Sequence, residues 1–181
     1  MSAVLDRPAA APFDVDAAQA AADAWGMNCG PGAIAGILGK TLVEIRPHLG
    51  DFEKKGYTNP TLMFDILGRL GVRWKKIEKV WPHYGLVRVQ WEGPWTAPGV
   101  PMAARYRHTH WVGAQRLERA GAVWVFDINA ICVGGWIPFE EWSGQLVPWL
   151  LKECETKADG KWHITHSLEI ALASVDRSTE R

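Results

Sequence analysis

The hydrophobic period changes once along this chain, at Gly71, and that change limits the folds open to it. Upstream, apolar residues recur at helical spacing; downstream, short β-branched and aromatic runs alternate with turn residues. DVDAAQAAADA (14–24) consists of strong helix formers, with Asp14 placed to cap it. Asn28 to Leu38 predicts a second helix, with Pro31 in the first turn, where its missing N–H does no harm, and Gly39 as its stop. Its small residues, Gly32, Ala33, Ala35 and Gly36, would let a sheet approach closely. Thr41-Leu-Val-Glu44 has the capping-box pattern, and Asn59-Pro60 opens the helix LMFDILGRL, closed by Gly71. After Gly71, VRWKKIEKV (72–80), GLVRVQW (85–91), HTHWVGAQRLE (108–118) and GAVWVFDI (121–128) predict strands. Pro138–Trp142 predicts a short helical turn, and LVPWLLKECE with KWHITHSLEI a closing hairpin across Lys157–Gly160. Helices first and mostly sequential strands afterwards predict an α+β fold with an antiparallel sheet. The Ala- and Pro-rich residues 1–13 predict a flexible N-terminal arm, ahead of a single domain over 14–181.

Charge and cysteine content exclude several functions. Lys and Arg total 20 and so do Asp and Glu, which leaves no broad basic surface for nucleic acid. No apolar run reaches the roughly 20 residues that span a bilayer. The N-terminus carries Asp6 and Arg7 and lacks the apolar centre of a secretory signal. Three cysteines, Cys29, Cys132 and Cys154, form no framework and favour a reducing compartment. A cytoplasmic protein with neither nucleic acid nor membrane as partner is expected. Eleven tryptophans predict large core side chains, with a tryptophan-lined groove as the alternative.

Cys29 lies in WGMNCGPGAIAGILG, at the mouth of the second helix. A thiolate there is stabilised by the positive helix end and its unpaired N–H groups, which lowers its pKa and makes it a nucleophile. The same N–H groups can serve an oxyanion. Cys132 and Cys154, in apolar strand settings, are expected to keep ordinary thiols. A nucleophilic cysteine needs an imidazole within reach and a group to orient it. His110 opens the strand His-Trp-Val-Gly, and Asp127 ends the next strand, where hairpin pairing can bring the two together. Asn129, two residues further on, is the alternative orienter. Alternation turns Trp111 away from the His110 face and into the core, whereas Trp25 is expected to brace the turn before Cys29. His108 shares a strand face with His110, and His163 and His166 would add metal-ligand nitrogens. No second Cys or His lies at short ligand spacing from Cys29, so no metal and no cofactor is expected.

NCGPGAIAGILG, HWVGAQ and VFDIN in this order resemble papain-like cysteine peptidases. The nearest likeness is to the C39-like group, the double-glycine leader peptidases and their relatives. These have a Cys-Gly-Pro helix start, a His-Trp/Phe-Val-Val strand and an Asp ending the next strand. The likeness covers about residues 25–130. It implies a papain-like fold, with the nucleophile helix packed on an antiparallel β-sheet. It further implies Cys29 as nucleophile, His110 as general base and acid, and Asp127 as orienter. The substrate would be a peptide or isopeptide bond in a peptide or protein. The family glutamine that serves the oxyanion falls here near Asp23, which leaves Asn28 and Gln19 as the oxyanion candidates. The membrane transporter often fused to leader peptidases is missing, so a stand-alone enzyme is expected, suited to a phage, prophage or effector system. Two alternatives stay open: a catalytically inactive papain-like binding module, and a transglutaminase-like acyl transferase.

Overall fold

The computed structural model describes residues 7–118, 121–153 and 157–171. Helix α1 (Val15–Trp25) is capped by Asp14, which accepts from the Ala17 N–H at 2.9 Å, and it stops at the left-handed Gly26. α2 (Cys29–Leu38) is almost wholly buried and ends at Gly39. α3 (Leu42–Ile45) has both halves of the Thr41/Glu44 capping box, α4 (Phe52–Lys55) is one turn, and α5 (Pro60–Arg69) is capped by Asn59 on the Leu62 N–H. The starts of α1, α3 and α5 follow from side chains reaching the orphan N–H groups of a first turn.

The strands are β1 (Trp74–Ile77), β2 (Tyr84–Trp91), β3 (Thr109–Arg116), β4 (Val123–Phe126), β5 (Trp136–Pro138) and β6 (Trp162–Ile170). Short helices α6 (Met102–Arg105), α7 (Phe139–Glu141) and α8 (Val147–Glu153) interrupt them. All pairings are antiparallel, in one open sheet of order β1-β6-β2-β3-β4-β5, so the fold is α+β. The expected closing hairpin does not form. Its first arm is helical, because Val147 and Leu151, four residues apart, pack one helix face on the core beneath the sheet. Its second arm, β6, inserts between β1 and β2, pairing Lys75 with Glu169 and Leu86 with Leu168.

Strand alternation divides the core into two layers. Trp111, Phe126, Trp136, Leu86 and Leu168 pack under α1, α2 and α5. Val87, Val89, Trp91, Val112, Val125 and Trp142 form the other layer, against α8. Missing side chains let α2 lie close to the sheet: a Cβ on Gly36 would stand 2.4 Å from the Phe126 ring, and one on Gly113 2.8 Å from Ile37. Tryptophan is mainly a core residue here; Trp149, at 50% exposure, is the exception.

Residues 7–13 are not a free arm. The Ala11 N–H donates to the Gly134 carbonyl at 3.2 Å, Arg7 donates to the carbonyls of Val133 and Trp136, and Phe13 sets its edge against Phe126. The Phe13 ring packed on Phe126 and the Arg7 guanidinium outweigh the looseness that an Ala/Pro composition suggests. Among the described residues no helix is long and apolar enough to cross a membrane.

Candidate active site

Cys29 is the first residue of α2 and is partly buried. Asn28 precedes it but does not cap with its side chain; its Nδ2 donates instead to the Ala18 carbonyl at 2.9 Å, tying α1 to the mouth of α2. No side chain caps the first turn of α2; Pro31 has no N–H and that of Gly32 donates to the Asn28 carbonyl, which leaves the N–H groups of Cys29 and Gly30 for an anion. The loop at Thr58 packs against this mouth: a Cβ on Gly30 would stand 2.2 Å from Thr58 Oγ1, and the indole of Trp111 donates to the Thr58 carbonyl at 2.8 Å.

Sheet register explains how His110 reaches the thiol. β3 pairs with β4 only from Gly113 opposite Phe126, which leaves the β3 edge at His110 and Trp111 uncovered on that side. Cys29 lies against it, and the Trp111 backbone N–H and the His110 ring both stabilise its thiolate. The other ring nitrogen, Nε2, lies 2.7 Å from Asp127 Oδ2. A carboxylate only accepts, so Nε2 carries a proton and Nδ1 faces the sulfur. The imidazole also stacks on Trp91, with ring centres 6.0 Å apart.

Asp127 is completely buried, and each of its oxygens has two donors. Oδ2 accepts from His110 and from the Trp142 indole at 2.9 Å; Oδ1 accepts from the Asn129 N–H at 3.0 Å and from Asn129 Nδ2 at 2.8 Å. Asn129 thus holds Asp127 rather than His110. After Asp127 the chain turns into a 3-10 helix over 128–133 instead of continuing as a strand, which takes Asn129 out of the orienting position. Trp142 is not legible in the sequence as a site residue, because it reaches the site through β5 and α7.

The electrostatics favour a charged relay. Burial pushes the Cys29 thiol up, but the His110 hydrogen bond and charge and the Trp111 N–H outweigh it, leaving the thiol below its ordinary value. Burial likewise disfavours imidazolium, yet Asp127 and Cys29 hold His110 well above the ordinary imidazole range. Burial raises Asp127, and the His110 charge together with hydrogen bonds from His110, Asn129 and Trp142 brings it below the usual carboxylate value. All three shifts favour the charged form of each group: thiolate at Cys29, imidazolium at His110 and carboxylate at Asp127.

Other expected positions fall elsewhere. Gln19 is on the exposed face of α1, where its Nε2 donates to Asp23 Oδ1 at 2.8 Å; Ala18, Ala21 and Trp25 take the inward face, so Gln19 does not point at the thiol. Asn28 adjoins Cys29 but has committed a donor to Ala18. Trp25 belongs to the last turn of α1, buried edge-on against Phe52 at 5.8 Å, and is core rather than a brace in the following turn. Cys132 is exposed in the 3-10 segment rather than on a strand; Cys154 lies outside the described residues. His108 precedes β3 at φ 51° and meets the Trp95 ring, while His163 bonds Glu92 Oε1. Among the described residues no group of three or more His, Cys, Asp or Glu is placed to hold a metal. In comparison with known proteins, no family model matches the chain and no curated protein matches it.

Proposed function

We propose that the chain is a papain-like cysteine peptidase that hydrolyses a peptide or isopeptide bond. The observation that carries this reading is a His110 ring hydrogen-bonded to the fully buried Asp127 and holding down the thiol pKa of Cys29, at an uncapped helix mouth. A helix bearing the thiol packed on an antiparallel sheet bearing the imidazole is consistent with the same family. In the reaction the Cys29 thiolate attacks the scissile carbonyl carbon, and the oxyanion that forms is met by first-turn N–H groups of α2. His110 imidazolium gives its Nδ1 proton to the leaving amine as the C–N bond breaks, leaving a thioester. Neutral His110 then takes a proton from water, whose oxygen attacks the thioester carbonyl; the C–S bond breaks, the acid product departs, and the Cys29 thiolate and His110 imidazolium are restored. Asp127 keeps the ring in the tautomer that both proton transfers need.

The test compares the wild-type chain with Cys29→Ala on a peptide library prepared from a whole proteome, with new termini read by mass spectrometry. Bonds cut by the wild type and spared by the variant are expected. No such bond, together with Cys29 alkylating at the rate of an ordinary thiol, would overturn the proposal in favour of a binding module. A primary amine joined to glutamine side chains, with no new termini, would move it to acyl transfer.

A further inference from the structure

A cleft lined by Met27, two residues before Cys29, and by His108 and Thr109, just ahead of His110, holds a cation that the proposed chemistry does not use. The cleft, about 650 Å³, is rimmed by the exposed side chains of Met27, Tyr57 and Tyr106. Arg88 of β2 lines it at 5% exposure, paired across the sheet with Trp111, whose N–H stabilises the Cys29 thiolate. One guanidinium nitrogen donates to Thr109 Oγ1 at 3.0 Å, but Nε is buried with no partner. Among the described residues no carboxylate pairs with Arg88. A Cys29 thiolate would favour the Arg88 charge, but that thiolate is already matched by His110. His166, in the same lining, does not answer the charge either: burial, then Arg88, Lys76 and Lys79, push its pKa to about 4, and it stays neutral.

A buried cation lacking a counter-ion is costly, and a guanidinium fork matches a carboxylate in two parallel hydrogen bonds. We propose that Arg88 receives a carboxylate of the substrate, close to the scissile carbonyl. This rests on the peptidase reading and names its substrate class: peptides with either an acidic side chain or a free C-terminal carboxylate at that position. The apolar and aromatic rim would cover the flanking residues, and Arg88 would supply the anion selectivity.

The experiment uses bromoacetyl reagents in matched pairs. Bromoacetylglycine against bromoacetylglycinamide probes an α-carboxylate; bromoacetyl-glutamic acid α-amide against bromoacetyl-glutamine amide probes a side-chain carboxylate. In each case the Cys29 sulfur displaces bromide, forming a thioether and releasing bromide ion. The anionic-to-neutral rate ratio at Cys29 is divided by the same ratio for N-acetylcysteine. One pair is expected to show a ratio raised roughly ten- to hundredfold, as a charge-assisted hydrogen bond supplies, and that pair identifies the source. Arg88→Gln is expected to abolish the preference and Arg88→Lys to restore part of it. A free-thiol ratio in both pairs overturns the proposal, and so does a ratio unchanged in Arg88→Gln with both rates slowed alike. Should Arg88→Gln fail to fold, the unsubstituted chain still decides through protection by the unreactive N-acetylglycine and N-acetylglutamic acid α-amide. Protection by at least one acid beyond its own amide analogue, N-acetylglycinamide or N-acetylglutamine amide, supports the proposal. Protection equal to the analogue's, or none, by both acids overturns it. The neutral reagents alone report on the nucleophile, so an ordinary-thiol rate there counts against the peptidase reading and leaves the ratio to judge the carboxylate site.

Discussion

Asp127→Asn removes one charge with almost no change of shape, and the four donors around the carboxylate decide its effect. Oδ2 serves His110 and Trp142, and Oδ1 serves Asn129 twice. An amide has one acceptor oxygen, so one pair of donors must face its NH₂. If the NH₂ turns toward His110, the ring can accept only by moving its proton to Nδ1, which then faces the sulfur and cannot serve as base. If the NH₂ turns toward Asn129, that side chain is exposed and can rotate, but the backbone N–H of Asn129 stays opposed. Each buried donor left unmatched costs about 1–3 kcal/mol, which a melt would register at about 2–4 °C per kcal/mol for a chain of this size. In either orientation the charge that raises His110 is gone, so the ion pair with Cys29 weakens. Turnover is expected to fall roughly 10²- to 10⁴-fold, and the pH midpoint of iodoacetamide labelling at Cys29 to move up toward that of an ordinary thiol. Asn129→Ala should do less on both measures, because its backbone N–H still serves Oδ1. A variant Asp127→Asn with wild-type labelling and wild-type turnover would refute the orienting role.

The shifts also set a pH window. His110 titrates above its ordinary 6.5 in the folded chain, so its contribution to stability is complete below that value and is lost as pH rises through the raised one. Asp127 titrates below its ordinary 3.8, so its contribution holds above that value and is lost as pH falls through the lowered one. Thermal melts across pH should therefore decline at both ends, and His110→Ala should remove the alkaline decline. Trp25→Ala and Trp111→Ala should each cost about 3–5 kcal/mol in denaturant titration, since both rings are buried; a Trp25→Ala loss under about 1 kcal/mol, well below that range, would show that the α1 end is not core.

Local rules make much of this chain legible without any tertiary contact. Capping by Asp14, Thr41 and Asn59 depends on side chains reaching N–H groups two or three residues away, so those helix starts are written in short stretches. The pairing of Cys29, His110 and Asp127 is equally readable, because a helix mouth, a strand start and the end of the next strand are positions that periodicity reveals. Periodicity cannot choose helix over strand for the short apolar run that forms α8, nor place β6 between β1 and β2, since that register comes from pairing across most of the chain. The donors that hold Asp127 are hidden for a related reason. Asn129 changes role because the backbone turns after β4, and Trp142 arrives from beyond β5. Gln19 fails as an oxyanion group because a helix face, not sequence proximity, decides where a side chain points. Arg88 reads as any strand arginine until the sheet buries it opposite Trp111 with its Nε unpartnered, and only three-dimensional packing can do that.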